Sequence, residues 1–205
     1  MLLSENREGI QAPPPAMPKI FSVIDSKMNQ CFRGARIESV VPELPGGVVE
    51  YGEKWVRSKP IAIPNRSSTC FISGKFDTVI KFDDGTYGVV DFKTSERREE
   101  HIPLYSRQLH AYAYALENPA PGELSLNPVS KLGLLVFEPD TFTHASAGNA
   151  SLVGGLSWIE FPRDDGTFLK FLGRVVSVLD QPAPPGGTPS CPWCQYRDTA
   201  RRTGL

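Results

Sequence analysis

Hydrophobic and polar positions along the chain alternate with two different periods, and together they predict a mixture of helices and strands. Apolar residues at 20, 21, 24, 28 and 32 follow helical spacing and predict a first helix over 19–32. Residues 69–82 and 86–94 are rich in aromatic and β-branched residues and flank Asp83–Gly85, which predicts a β-hairpin. Residues 40–49, broken by Pro and Gly, predict a loop, and 53–64 a strand ended by Pro64.

The second half of the chain alternates helices with strands. A helix is predicted over 102–118, a buried strand over 130–139, a further strand over 156–162 and a helix over 165–180. A strand, a helix and a strand in this order imply a right-handed crossover between parallel strands. We therefore expect an α/β fold with a central mixed sheet flanked by helices.

The same pattern divides the chain into three parts. Residues 1–18, with their run of prolines, predict a flexible lead-in, and residues 19–180 predict the folded domain. Residues 181–205 predict a Pro/Gly linker that ends in a Cys-x-x-Cys tail.

Composition narrows the class of protein. The chain has 205 residues, 40% of them hydrophobic and 22% charged, as in soluble globular proteins. Its net charge of −1 supplies no global attraction to nucleic acid or membrane, so any such contact must be local. The N-terminus lacks the pattern of a secretory signal, and no apolar stretch is long enough to span a bilayer. Four cysteines without a signal indicate a reducing compartment, so we expect a cytoplasmic protein with no membrane contact.

The strand over residues 88–94 carries an acid and an amine on one face. Side chains in a strand alternate, so Val89, Asp91 and Lys93 share a face. A three-residue hairpin loop, which we favour, places Asp77 directly opposite Asp91, whereas a two-residue turn would put the two acids on opposite faces. Paired carboxylates repel each other unless a cation such as Mg²⁺ binds them, and a neighbouring lysine suits phosphodiester hydrolysis. The alternative is a structural ion pair in which Lys93 neutralises both acids.

Three motifs in this order resemble the PD-(D/E)XK nuclease superfamily, particularly its RecB-like exonuclease branch. They are Gly-x-x-Asp at 74–77, Asp-x-Lys at 91–93 and Gln-x-x-x-Tyr at 108–112. The resemblance implies the restriction-endonuclease-like core and a metal-dependent deoxyribonuclease. It also implies that Asp77 and Asp91 bind Mg²⁺ or Mn²⁺ together with the backbone carbonyl of Phe92, and that Lys93 orients the attacking water.

The Gln-x-x-x-Tyr motif lies on the predicted helix over 102–118. Gln108 and Tyr112 are four residues apart and share a helix face with Leu104, Ala111 and Ala115. We interpret that face as the side packed on the sheet. A packed glutamine needs a hydrogen-bond partner, which the active-site lysine, a water, the DNA backbone or a nearby backbone carbonyl would supply.

Many members of the family carry a further acid or histidine before the core. The candidates are Glu38, Glu43, Glu50 and Glu53, and we prefer Glu50 as an additional metal ligand. Asp25, which begins a second Asp-x-Lys triplet, is interpreted as a decoy because it lies in a predicted helix with no second acid in register.

The cysteines leave several interpretations open. Some relatives hold an iron–sulfur cluster with one cysteine before the core and three after it. Cys191 and Cys194 resemble the rear part of that pattern and Cys31 the front, but a four-thiolate site also requires Cys70. The alternatives are zinc on the same ligands, or a vestigial pair that closes the tail, which we favour.

The function predicted from the sequence is metal-dependent DNA cleavage by an exonuclease that acts on ends or single strands in recombination, repair, phage or defence processing. Relatives of this branch include helicase–nuclease subunits, which leaves a helicase or recombination partner open. The first alternative is a non-catalytic DNA-binding or scaffolding protein that retains the nuclease fold. A second is a metal-binding structural module around Cys191 and Cys194.

Overall fold

A computed structural model describes residues 19–64, 66–94 and 102–202, so the lead-in predicted for 1–18 lies outside the described residues. The helices are α1 Lys19–Phe32, α2 Ile102–Glu117, α3 Asp165–Leu179 and α4 Pro192–Arg202. The strands are β1 Gly47–Tyr51, β2 Lys54–Arg57, β3 Ile61–Ala62, β4 Thr69–Cys70, β5 Ser73–Phe76, β6 Thr78–Phe82, β7 Tyr87–Thr94, β8 Val129–Ser146 and β9 Asn149–Phe161.

The predicted central mixed sheet flanked by helices is confirmed. Within the described part of the chain, five strands form one sheet in the order β1-β6-β7-β8-β9. Strands β7 and β8 run parallel, with α2 between them in sequence, and the other neighbouring pairs are antiparallel. Two small antiparallel pairs, β2 with β5 and β3 with β4, lie outside this sheet.

The hairpin between β6 and β7 has the predicted three-residue loop. Lys81 pairs with Tyr87, and the Phe82 N–H donates to the Thr86 carbonyl at 2.9 Å. Gly85 has a φ of 86°, a left-handed conformation that glycine adopts without steric cost. Because the loop length fixes the register, the acids at the far end of the hairpin are brought to the same side of the sheet.

The two faces of the sheet bury separate hydrophobic clusters. Val79 and Val89 pack with Leu109 and Leu116 of α2 on one face. The alternate residues of the same strands pack on the α1 side, in a cluster of Met28, Ile37, Val49, Ile80, Val90 and Phe92. Asp91 follows the register of Val89 and therefore lies on the α2 side. A third cluster joins α3 to the β3–β4 pair.

Several elements differ from the prediction, and the run over 69–82, expected as one arm of the hairpin, is divided into β4, β5 and β6. The single strand expected over 53–64 is two short strands, β2 and β3, and β1 begins inside the loop expected over 40–49. Strands β8 and β9 are longer than expected and form one extended hairpin. Pro139 lies beyond Phe137, the last residue of β8 that pairs with β7, so the proline does not end the strand.

The tail contains a helix that the sequence analysis did not predict. Helix α4 begins at Pro192, where the missing proline N–H is no loss, and carries Arg201 and Arg202 in its last turn. In the described ranges, no helix is both long and apolar enough to cross a membrane.

Candidate active site

Asp77 and Asp91 meet where β6 begins. The β6–β7 register pairs Thr78 with Val90, and its continuation by one residue places Asp77 opposite Asp91. Asp91 is buried, with 2% of its surface exposed, and Asp77 is half-buried. Burial, and next the negative charge of Asp91, raise the pKa of Asp77 to about 7. The two carboxylates are therefore held close together at a free-energy cost.

The backbone of β7 fixes the orientation of Asp77. The N–H of Phe92 donates to Asp77 Oδ2 at 3.0 Å. In a strand the N–H and C=O of one residue point to the same edge, so the carbonyl of Phe92 lies on the same side as the Asp77 carboxylate. This is the arrangement in which the carbonyl of Phe92 would be an additional oxygen ligand.

Lys93 lies beside the two acids. Its ammonium forms an ion pair with Asp91 Oδ2 and lies 5.1 Å from the centre of the Tyr105 ring. Burial opposes the charged form of Lys93, but the carboxylates of Asp91 and Asp77 outweigh it and raise the pKa of the lysine. Lys93 therefore stays protonated at neutral pH and can donate hydrogen bonds, but it cannot accept a proton.

Gln108 connects α2 to the acidic pair. Its Nε2 donates to Asp91 Oδ1 at 3.1 Å and to the Tyr112 hydroxyl at 3.2 Å. The partner that the structure gives this glutamine, a carboxylate of the acidic pair, is not one of those considered from the sequence. Gly74 lies against the ring of Tyr112, because a Cβ at Gly74 would be 3.0 Å from Tyr112 Cε1. The three motifs thus converge on one site.

One residue assigned to the packed face of α2 is not packed. Leu104 is 58% exposed, whereas Ala115 is fully buried. Leu104 lies in the first turn of α2, before the helix reaches the sheet, so the predicted packed face begins only further along the helix.

The structure brings Asp25, and not Glu50, towards the acidic pair. Burial and then the negative charges of Asp77 and Glu53 raise the pKa of Asp25 to about 6. Its Oδ1 is buried without a hydrogen-bond partner among the described residues. Asp25, interpreted from the sequence as a decoy, therefore lies where the charge of Asp77 acts on it, because α1 passes the residue at which β6 begins.

The four glutamates proposed from the sequence have other surroundings. Glu50 faces Lys81, with its Oε2 3.8 Å from the lysine Nζ. Glu53 forms an ion pair of 2.5 Å with Lys75, and Glu38 accepts from Arg36. Glu43 is exposed.

The structure does not bring the four cysteines into one site. Cys31 is exposed on α1, and Cys70 packs beside the third hydrophobic cluster, where burial raises the pKa of its thiol. Cys191 and Cys194 adjoin each other at the start of α4, where the N–H of Cys194 donates to Cys191 Sγ at 3.3 Å. Hydrogen bonds from Cys194 lower the pKa of Cys191.

The residues of the acidic pair fit a hard divalent cation. Over the described ranges, no group of three or more His, Cys, Asp or Glu side chains is arranged to hold a metal ion. Mg²⁺ does not require one, since it commonly takes one or two carboxylates and completes its shell with water and phosphate oxygens. The buried Oδ2 of Asp91 is in contact with the Lys93 ammonium, and its Oδ1 accepts from Gln108. One ammonium does not balance two adjacent carboxylates, so the pair suits a divalent cation.

Comparisons with known proteins identify the family. No curated protein matches the chain. Among solved structures, one titled "Crystal structure of SSO0001" is similar at 19% sequence identity and a TM-score of 0.39; the match covers 80% of this chain and 62% of that one. The chain thus spans less than two thirds of the length of that protein. A family model described as the PD-(D/E)XK nuclease superfamily matches residues 24–199. The chain therefore belongs to the PD-(D/E)XK nuclease superfamily, whose members hydrolyse phosphodiester bonds and generally use divalent metals such as Mg²⁺ or Mn²⁺.

Proposed function

We propose that this protein is a Mg²⁺- or Mn²⁺-dependent deoxyribonuclease that removes nucleotides from DNA ends. The observation that carries the proposal is the arrangement of Asp77, Asp91 and Lys93 on one face of the β6–β7 hairpin, two acids side by side and a protonated amine in contact with one of them. A scaffold has no use for this arrangement, because three charges at the end of a core strand cost stability in the free protein.

Each of these residues has a role that follows from its surroundings. Asp77 and Asp91, with the carbonyl of Phe92, would hold the metal, which when bound would supply positive charge to the phosphate and acidify a water. Gln108 holds Asp91 in place through the 3.1 Å hydrogen bond. Lys93, kept protonated by the acids, donates to the attacking water or to a phosphate oxygen and stabilises the negative charge that develops in the transition state.

The preference for DNA ends rests on charge and on the Gln108–Tyr112 motif. A net charge of −1 gives little long-range attraction to an intact duplex. A frayed or single-stranded end needs only a short groove with a few phosphate contacts. The motif is similar to that of the RecB-like branch, whose members usually process ends.

The proposal is tested with linear and circular DNA, each single- and double-stranded and with the duplex circle supercoiled, in Mg²⁺, Mn²⁺ or EDTA. We expect degradation of linear DNA that requires metal and is at least about tenfold faster than that of closed circles. Equal rates on supercoiled circles would overturn the preference for ends and leave the metal chemistry standing. Metal-dependent binding without cleavage of any substrate would favour the scaffolding alternative.

A further inference from the structure

A polar cleft of about 390 Å³ runs along α1 beside the acidic pair. It is lined by Ser26, Asn29, Gln30, Arg33 and Glu53. Ser26, Asn29 and Gln30 of α1, with Arg33 directly after it, follow the spacing i, i+3, i+4 and i+7. The N–H of Arg33 donates to the carbonyl of Asn29 at 3.3 Å, so the four residues form one stripe on the helix surface. Asp25 precedes the stripe, which places one end of the cleft next to the active site.

The active-site end of the cleft is held in a fixed position. The Thr78 hydroxyl donates to Asn29 Oδ1 at 3.0 Å, and Asn29 Nδ2 donates to the carbonyl of Asp25 at 3.3 Å. Thr78 directly follows Asp77 in the chain. These bonds fix α1 against the first residue of β6, so the stripe and the acidic pair move as one unit.

The other end of the cleft carries positive charge. In the described part of the chain, the guanidinium of Arg33 has no acidic partner and lies against the backbone of Gly52. A Cβ at Gly52 would be 2.5 Å from Arg33 Nη2, so the glycine makes room for the guanidinium. The acid in the cleft, Glu53, is neutralised by Lys75 at 2.5 Å and does not cancel the charge of Arg33.

We propose that this cleft binds a backbone phosphate of the substrate strand, through Arg33 and the side-chain amide of Gln30, on one flank of the phosphate that is cleaved. Gln30 Oε1 accepts from Lys27 at 3.4 Å, which leaves its NH₂ group to donate to a phosphate oxygen. At 1.5 Å per helical residue, Arg33, one residue beyond the end of α1, lies about 12 Å from Asp25 along the helix axis. That distance corresponds to roughly three to four nucleotides at a rise of about 3.4 Å each.

The inference rests on the proposed nuclease function and assigns part of its substrate site. The cleft contacts the phosphates of a nucleic-acid strand and not its bases. It therefore contributes affinity and positions the strand without sequence preference. Because it contacts the strand away from the reacting phosphate, it acts equally on the bound substrate and the transition state. Its loss is therefore expected in KM and not in kcat.

The test compares Arg33→Gln with Arg174→Gln, a matched loss of one charge at an exposed arginine on α3. On a linear single-stranded oligonucleotide with Mg²⁺, we expect Arg33→Gln to raise KM about fivefold or more with kcat within twofold of the wild type. The slope of log(kcat/KM) against log[salt] should become shallower by about 0.7. Gly52→Ala, which displaces the guanidinium but keeps its charge, should also raise KM. Arg174→Gln should change neither KM nor the slope.

Identical KM values and salt slopes for Arg33→Gln and Arg174→Gln would overturn the inference while the nuclease function stands. If the wild type cleaves no substrate in any metal, the proposed function fails, and fluorescence anisotropy of a labelled oligonucleotide then decides the inference by itself. A dissociation constant raised about fivefold or more by Arg33→Gln, relative to Arg174→Gln, supports the cleft. Equal dissociation constants, or no binding by the wild type, overturn it.

Discussion

Replacing Asp77 by asparagine should stabilise the metal-free protein at alkaline pH while it abolishes or weakens catalysis. The substitution removes one of two adjacent negative charges and keeps the shape of the side chain. An asparagine oxygen can still accept the hydrogen bond that the Phe92 N–H donates to Asp77 at 3.0 Å. The substitution therefore measures how much the charge of Asp77 lowers the free energy of unfolding, with the packing of the site kept the same.

The magnitude follows from the pKa of Asp77, which burial and then Asp91 raise from 3.8 to about 7. A shift of about three units, at ~1.4 kcal/mol each, corresponds to ~4 kcal/mol of destabilisation when the carboxylate is charged. Asparagine does not recover all of this, because its amide is also desolvated and accepts a weaker bond than a carboxylate does. We expect a gain of about 1–3 kcal/mol in the free energy of unfolding at pH 8.

The pH determines how much more stable the variant is than the wild type. Between about pH 4 and pH 7, native Asp77 holds a proton that the unfolded chain has lost, so wild-type stability falls as the pH rises through this window. Asparagine does not titrate. The advantage of the variant should therefore be small near pH 4, grow with pH and level off above pH 7.

The assay is denaturant unfolding in EDTA at several pH values, with Asp140→Asn, at an exposed residue of β8, as the matched control. Added Mg²⁺ should stabilise the wild type by about 2.7 kcal/mol at one hundred times its dissociation constant, and the variant by less. The reasoning is refuted if Asp77→Asn lowers stability at pH 8 in EDTA, since Asp77 would then be a structural partner of Lys93.

Four further outcomes test the site and the fold. Lys93→Gln should lower kcat on linear DNA by about 100-fold or more, since one preorganised donor is lost, and a rate within threefold of wild type would contradict its role. Asp25→Asn should raise the Mg²⁺ concentration at half-maximal activity several-fold, because a negative charge near the acidic pair is removed; an unchanged midpoint would leave Asp25 without a role in metal binding. Gly133→Ala should cost about 1–3 kcal/mol in denaturant unfolding because its Cβ would overlap the ring of Trp158, and unchanged stability would show that the ring relaxes freely. Protein purified anaerobically should contain neither iron nor zinc and should titrate four free thiols; metal that disappears in Cys191→Ser would show that the tail binds it.

Local signals allowed the hairpin and its charged face to be predicted from the sequence. The turn residues Asp83 to Gly85 set a three-residue loop, the loop sets the register, and the register places Asp77 against Asp91. Each step depends on residues close in the chain. Helix α2 could also be predicted from local signals, because Pro103 and the run of helix-forming residues after it define the helix.

Asp25 was missed because nothing local connects it to the site. Its triplet lies in a helix, and the charge of Asp77 acts on its carboxylate only because α1 packs on the opposite face of the sheet and passes Thr78, where β6 begins. The sequence did contain one usable signal. Asp25 follows the apolar Ile24 and precedes Met28 by three residues, so it lies at the border of the apolar face of α1 that packs on the sheet. Glu50 was preferred for its position in the sequence, but its carboxylate faces Lys81. Helix α4 was missed because Pro and Gly before it predicted a linker.

The charged residues around the start of β6 explain the position of the site in the sheet. Asp25 approaches from one face of the sheet, and Gln108 reaches Asp91 from the other. Strand β5 ends at Phe76 and β6 begins at Thr78, which leaves Asp77 between the two strands and outside both ladders. Within a continuous ladder, buried carboxylates at this position would have no room for waters or a phosphate. The break in the strand therefore creates the space in which repelling acids can be neutralised by a cation and its substrate, and the stability lost in the free protein becomes binding energy for both.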